Sequence, residues 1–137
     1  MIVRMDHFTV MTDRLTETLD FYAMLGLTMG PRPDFGVGGA WLHVGDHPLL
    51  HIVETTRMPE PRRGALDHMA FFAQGFQAAA ARIAAAGLTY RVIRTPRPFS
   101  FWQLFLFDPN GVEVELDFAA DEAPPPDWKT RAGLGDR

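Results

Sequence analysis

The sequence predicts an α+β fold built from two tandem β-α-β-β-β modules, with the helices on the outside. Three observations predict it. Asp6-His7-Phe8-Thr9-Val10 recurs as Asp67-His68-Met69-Ala70-Phe71, and Gly26-Leu27-Thr28 recurs as Gly87-Leu88-Thr89, both at an offset of 61 residues. Between each pair of anchors the apolar residues follow helical spacing. After each helix the pattern changes to short runs of strand type, separated by turn signals. Two matches at one offset, each in the same place relative to a helix, mark an internal duplication.

The elements follow in order. In the opening strand Phe8 and Val10 suit a helix-facing side, which turns His7 to the opposite face. Thr12 or Asp13 then caps a helix carrying Leu15, Leu19, Phe21, Tyr22 and Leu25 and ending at Gly26. Strands are expected at 28–30, 40–44 and 49–55, the last two joined by Gly45-Asp46-His47-Pro48. Gly36, Gly38 and Gly39 precede a strand with no helix after them, and read as a flexible loop. A link rich in Pro and Arg, 57–64, separates the halves. In the second half Met69 and Phe71 repeat the helix-facing pair and turn His68 away. The second helix carries Phe76, Ala79, Ala80, Ile83 and Ala84 and ends at Gly87. Strands follow at 88–93, 101–107 and 112–118, with Asp108-Pro109-Asn110-Gly111 as the last turn. One domain is expected over 1–118, with modules at about 1–56 and 65–118. The tail, 119–137, holds Pro124-Pro125-Pro126 and no apolar period; it is expected to be extended or disordered, with Trp128 as a group that can dock.

Composition narrows the function. The 137 residues are 47% hydrophobic and 22% charged, which suits one globular domain with a sizeable core. The absence of cysteine excludes disulfides, thiolate nucleophiles, iron–sulfur clusters and Cys-ligated zinc, so any metal must use His, Asp or Glu. A net charge of −4 argues against a nucleic-acid partner, and no apolar run is long enough to span a membrane. Arg4 and Asp6 sit where a signal peptide needs an apolar core, so the chain reads as cytoplasmic.

One strand sets the direction of the chemistry. Val112, Val114, Leu116 and Phe118 alternate strictly with Glu113, Glu115 and Asp117. The apolar set belongs under a helix; the acidic set must meet water or a polar cavity, because unpaired buried carboxylates are costly. A plain solvent-facing sheet surface is the simpler reading of that strand alone. In the matching strand of the first half, placing Leu50 and Ile52 under the helix turns His51 to the polar face. A strict offset of 61 would match Glu115 to Glu54 instead and bury His51; we adopt the parity argument, with the hairpin turns absorbing the difference. His7, His51, His68 and Glu115 then face one interior, a donor set suited to Zn, Ni, Fe, Co or Mn.

With these residues placed, the sequence resembles the vicinal oxygen chelate superfamily, which includes glyoxalase I, methylmalonyl-CoA epimerase, extradiol dioxygenases, fosfomycin-resistance transferases and metal-free bleomycin-resistance binders. The resemblance rests on Asp6-His7, on Phe21-Tyr22 followed by Leu25-Gly26-Leu27, on Asp67-His68-Met69-Ala70-Phe71, and on Asp108-Pro109-Asn110-Gly111 leading to Val114-Glu115-Leu116. It covers about residues 1–118. It implies a cupped mixed sheet around a central metal, with His7, His68 and Glu115 as core ligands. His51 stands where glyoxalase I and the epimerase carry a Glu or Gln ligand, which is a departure. It also implies a substrate that chelates the metal through two neighbouring oxygens, and a homodimer.

The resemblance leaves three functions open. Four protein ligands suit lyase or isomerase chemistry of the glyoxalase type, with Glu115 moving the proton. Three ligands, with His51 free as an acid–base group, suit an extradiol-type Fe(II) dioxygenase. A metal-free binder of small molecules or antibiotics is the third. Arg91, Arg94 and Arg97 are candidates to hold an anionic substrate, or form a solvated basic edge. Phe99, Phe101 and Trp102 are candidates for a substrate wall or an interface, or are core. Glu113 or Asp117 is a candidate to support a ligating imidazole. His43 and His47 lie near the first hairpin turn and are expected to have no metal role.

Overall fold

The duplication in the sequence is realised as two four-stranded mixed sheets with the same strand order. The structure is a computed structural model and describes residues 1–131. The chain divides into two compact units, Met1–Arg62 and Arg63–Arg137.

The first unit contains β1 (Phe8–Thr12), α1 (Leu15–Met24), β2 (Thr28–Gly30), β3 (Gly39–Val44) and β4 (His47–Glu54). Its strand order is β1-β4-β3-β2, with β1 parallel to β4 and the other pairs antiparallel. Period-two alternation decides what is buried: Val10, Ala40, Leu42, Leu50 and Ile52 are in the core with Phe21 and Tyr22 from α1. Neither expected cap residue serves as the helix N-cap. Arg14 takes that position without a side-chain cap, while the Thr12 hydroxyl accepts the Arg14 N–H at 2.9 Å. Asp13 pairs with Arg62 at 3.0 Å. Gly39 begins β3 at φ +141, and a Cβ there would run into the Ile52 carbonyl, so this position of the glycine-rich loop is fixed by the adjacent strand.

The second unit contains β5 (His68–Phe72), α2 (Phe76–Ala85), β6 (Arg91–Arg94), β7 (Trp102–Phe107), β8 (Glu113–Phe118) and α3 (Trp128–Arg131). Its order is β5-β8-β7-β6, again with one parallel pair, β5 with β8. Phe76 of α2 stacks on Phe118 at 4.5 Å and lies 5.8 Å from Trp102, so α2 covers the face that carries Val114, Leu116 and Phe118. Asp108 folds the last turn by accepting the N–H groups of Asn110 and Val112 at 2.8 and 2.9 Å.

The segment after β8 is not a loose tail over its described part. Ala120 and Glu122 carbonyls accept from Arg94 and Trp102, and the Glu122 carboxylate accepts the Phe76 N–H at 2.7 Å. Trp128 docks on Trp102 at 5.0 Å. Residues 132–137 of the predicted tail lie outside the described residues.

Candidate functional site

In the first unit the register puts Thr9 opposite His51 and Trp41 opposite His51. Leu50 and Ile52 are buried on one face, and His51 stands half-buried on the other. His7, just before β1, lies with its ring 6.2 Å from that of His51. The Asp6 carboxylate takes His7 Nδ1 at 2.7 Å, and this bond holds the Asp6 carboxyl below its ordinary range. His51 Nε2 is buried without a hydrogen-bond partner. Burial, then Arg32 and His7, lowers the His51 pKa below its ordinary 6.5, so the imidazole is neutral at physiological pH.

The second unit repeats this arrangement. Ala70 lies opposite Glu115 and Phe105 opposite Glu115. His68 is held at Nδ1 by Asp67 at 2.8 Å, and its Nε2 is 2.8 Å from Glu115 Oε2. The His68 ring stands 5.9 Å from Phe105, as His7 stands 5.9 Å from Trp41. His51 is therefore the positional equivalent of Glu115, at an offset of 64 rather than 61. The three extra residues enter the second unit between β6 and β7, and not at the last hairpin turns, since Trp41 and His51 stand as far apart in sequence as Phe105 and Glu115. Gly30 pairs with Trp41, whereas Arg91 pairs with Phe105.

The acidic face of β8 is not a solvent-facing surface. Glu113 and Glu115 are 3% and 4% exposed. Glu113 is bound by Arg63 at 2.9 Å and by the buried Arg91 at 3.0 Å. Arg91 also lies 3.8 Å over the Phe105 ring. Arg91 is thus spent on an internal ion pair rather than on a substrate. Gln103 Nε2 donates to Glu115 Oε1 and, at 3.3 Å, to Asp117. Burial, then Asp117, raises the Glu115 pKa from 4.5 to about 6, while His68 and Gln103 pull the other way. Sequence reasoning missed Gln103 and Arg63. Gln103 carried a signal, as the lone polar residue in the apolar run 101–107.

The other candidates separate. Arg94 and Arg97, with Thr95 and Ser100, line a cavity of about 460 Å³ in the second unit. Arg94 is partly committed, donating to the Ser100 and Ala120 carbonyls at 3.1 and 3.2 Å. Trp102 does not share the face of Glu115. It pairs with Phe118, is 2% exposed and donates its Nε1–H to the Glu122 carbonyl. Its place is in the core under α2, and Arg94 lies over its ring at 4.4 Å. His47 Nε2 is 3.1 Å from the Asp6 carbonyl, and His43 lies against Gly30.

The donor atoms suit a divalent ion. Ligands of one ion at about 2.0–2.2 Å stand roughly 3 Å apart, and His68 Nε2 and Glu115 Oε2 are separated by 2.8 Å. His7 and His68 each have Nδ1 fixed by a carboxylate, which leaves Nε2 as the ligating atom. His51 offers a buried, unpartnered Nε2. Within either unit, among the described residues, no three His, Asp or Glu side chains converge.

The Glyoxalase/Bleomycin resistance protein/Dioxygenase superfamily model matches residues 4–116. A glyoxylase/bleomycin resistance protein/dioxygenase domain from Frankia sp. EAN1pec is similar at 18% identity and a TM-score of 0.68, over 90% of this chain and 96% of that one. A protein assigned to the glyoxalase family from Bacillus anthracis is similar at 23% identity and a TM-score of 0.67, over 87% of this chain and 97% of that one. The genomically encoded fosfomycin resistance protein FosX from Listeria monocytogenes is similar at 20% identity and a TM-score of 0.66, over 87% and 95%. These likenesses show the fold. No curated protein matches the chain. The family match over most of the sequence and the doubled β-α-β-β-β architecture establish that this chain belongs to the glyoxalase/bleomycin resistance/dioxygenase superfamily.

Proposed function

We propose that this protein is a divalent-metal-dependent enzyme that acts on a small molecule with two neighbouring oxygens, by lyase or isomerase chemistry of the glyoxalase type. His7, His51, His68 and Glu115 would hold the ion, which supplies Lewis acidity toward the chelated oxygens. The observation that carries the reading is the repeated Asp–His pair. Each unit fixes Nδ1 of an imidazole with the preceding carboxylate and sets a second donor, His51 or Glu115, at the equivalent register position.

The protein's own groups divide the remaining work. Asp6 and Asp67 orient the imidazoles. Gln103 anchors Glu115 through Oε1 and leaves Oε2 to carry a proton. Without a metal this carboxyl, pushed up to about 6, takes and returns a proton nearer to neutral pH than an ordinary one. Arg94 and Arg97 line a cavity suited to an anionic part of a substrate. The reading includes a homodimer and a cytoplasmic location. A second reading, metal-free binding of a small molecule, is favoured by one observation: His68 Nε2 and Glu115 Oε2 already lie within hydrogen-bond distance of each other, at 2.8 Å.

Metal content by mass spectrometry, on protein purified without a His tag, separates the two. About one equivalent of a transition metal, lost in His68→Ala and in Glu115→Ala, supports the enzyme. Full occupancy in both variants defeats the site assignment. Protein that neither carries nor takes up metal moves the function to binding. The ion found directs the assay: iron to catechols and O₂, nickel or zinc to hemithioacetals and epimerisable acids.

A further inference from the structure

Beside His51 the first unit carries a group of side chains that no step above uses. The Trp41 ring is 5.6 Å from His51 and nearly perpendicular to it. Phe35, from the connection between β2 and β3, lies 5.2 Å from His51 and 6.2 Å from Trp41. Phe35 is 48% exposed although two other rings lie beside it. The Arg32 guanidinium lies 5.1 Å from the Phe35 centroid.

The polar atoms of this group are unspent. Arg32 Nε and Trp41 Nε1 are buried N–H donors without a hydrogen-bond partner, and His51 Nε2 is a third buried atom without one. Leaving a buried donor unmade costs about 1–3 kcal/mol each, and folded proteins retain few such atoms. Arg32 is nevertheless fixed in place: its NH2 donates to the Val37 carbonyl at 2.9 Å. Asp34 accepts the Gly36 N–H at 2.8 Å, which sets the turn that presents Phe35. A local scaffold therefore holds two idle donors and two aromatic faces beside the His51 imidazole.

We infer that Arg32, Phe35 and Trp41 form a substrate subsite for a planar aromatic anion, such as an aromatic carboxylate, placed next to His51. The inference rests on the reading that His51 belongs to the reacting centre. Phe35 and Trp41 supply flat apolar faces for the ring. Arg32 Nε–H and Trp41 Nε1–H supply charge-assisted and neutral hydrogen bonds to the anion's oxygens, which satisfy both donors at once. An aliphatic acid would satisfy the donors but leave the faces unmatched. A neutral aromatic would do the reverse.

The probes are benzoate, cyclohexanecarboxylate and benzyl alcohol, titrated calorimetrically into the full-length protein with its metal. Benzoate should bind at least about tenfold more tightly than either other probe, since one such interaction is worth about 1.4 kcal/mol. Arg32→Gln should weaken benzoate by about tenfold or more and leave benzyl alcohol within about twofold. Trp41→Phe, which keeps a ring and removes the donor, should weaken benzoate by roughly three- to tenfold. Equal binding of benzoate and cyclohexanecarboxylate, or benzoate affinity unchanged in Arg32→Gln, overturns the subsite. Metal content is measured on each variant and should stay at the wild-type level. Metal retention with no aromatic preference defeats only this subsite, whereas failure of the wild type to hold metal defeats the enzyme reading.

Discussion

Replacing Glu115 by glutamine should make the metal-free protein more stable at pH 8 while removing its hold on metal. The Glu115 carboxyl is pushed from 4.5 to about 6, first by burial and then by Asp117. The charged form is therefore less favourable in the folded protein than in the unfolded chain. For a carboxyl with a raised folded pKa, the associated stability is complete below pH 4.5 and is lost as pH rises through about 6. At 1.36 kcal/mol per unit the upper bound on this loss is about 2 kcal/mol. The glutamine replaces the carboxylate's charge-assisted hydrogen bonds only in part, so the gain expected is about 1 kcal/mol. Glutamine does not titrate. Its oxygen still accepts from Gln103, and its amide lies within reach of His68 Nε2. Urea denaturation at pH 4 and pH 8 tests this. The variant should match the wild type at pH 4 and exceed it by about 1 kcal/mol at pH 8, with the urea slope unchanged. A variant that is less stable at pH 8 would refute the reasoning, because it would mean that His68 and Gln103 stabilise the carboxylate more than burial and Asp117 oppose it.

Two further outcomes are expected. Glu113→Ala leaves Arg91 buried over Phe105 without its carboxylate, and should destabilise by about 3–5 kcal/mol; a loss below about 1 kcal/mol, read by the same denaturation, would contradict the buried ion pair. His51 has a pKa lowered below 6.5, so the unfolded chain binds the proton more readily and stability falls as pH drops below that value. In His51→Phe the loss of thermal midpoint between pH 7 and pH 5 should be smaller than in the wild type, and an unchanged loss would assign it to other groups.

The parts of the fold legible in the sequence are those governed by local rules. The repeat anchors, the helix ends at Gly26 and Gly87 and the Asp108-Pro109-Asn110-Gly111 turn all fall as read, because each depends on residues within a few positions. The parity reading of His51 also agrees with the register, since Leu50 and Ile52 could be buried together in only one way. The cause of the shifted offset was not legible. It lies in the β6–β7 pair, whose ladder runs on from Arg91–Phe105 to Arg94–Trp102, whereas the β2–β3 ladder ends at Gly30–Trp41. The burial of Glu113 was equally hidden. Its two arginine partners stand 50 and 22 residues earlier in the chain, and only the fold brings them to it. Trp102 illustrates the reverse difficulty. An aromatic at a strand start reads the same whether it faces a site or a helix, and the partner that decides, Trp128, lies in a segment without pattern.

The asymmetry between the two units bears on which ion the proposed site would take. The equivalent register positions carry His51 in one unit and Glu115 in the other. Three imidazoles and one carboxylate offset one positive charge of a divalent ion, where a set with two carboxylates offsets both. Nitrogen-rich donors favour Zn, Ni, Co or Fe over the harder Mn and Mg. The uncompensated charge would strengthen the pull on a chelating substrate and favour an anionic one. A His51→Glu variant would restore the second carboxylate. It should shift the metal recovered toward Mn and raise the apparent pKa at which activity appears, because the ion would then withdraw less charge from what it holds. Recovery of the same metal with the same pH profile would show that residue 51 does not ligate.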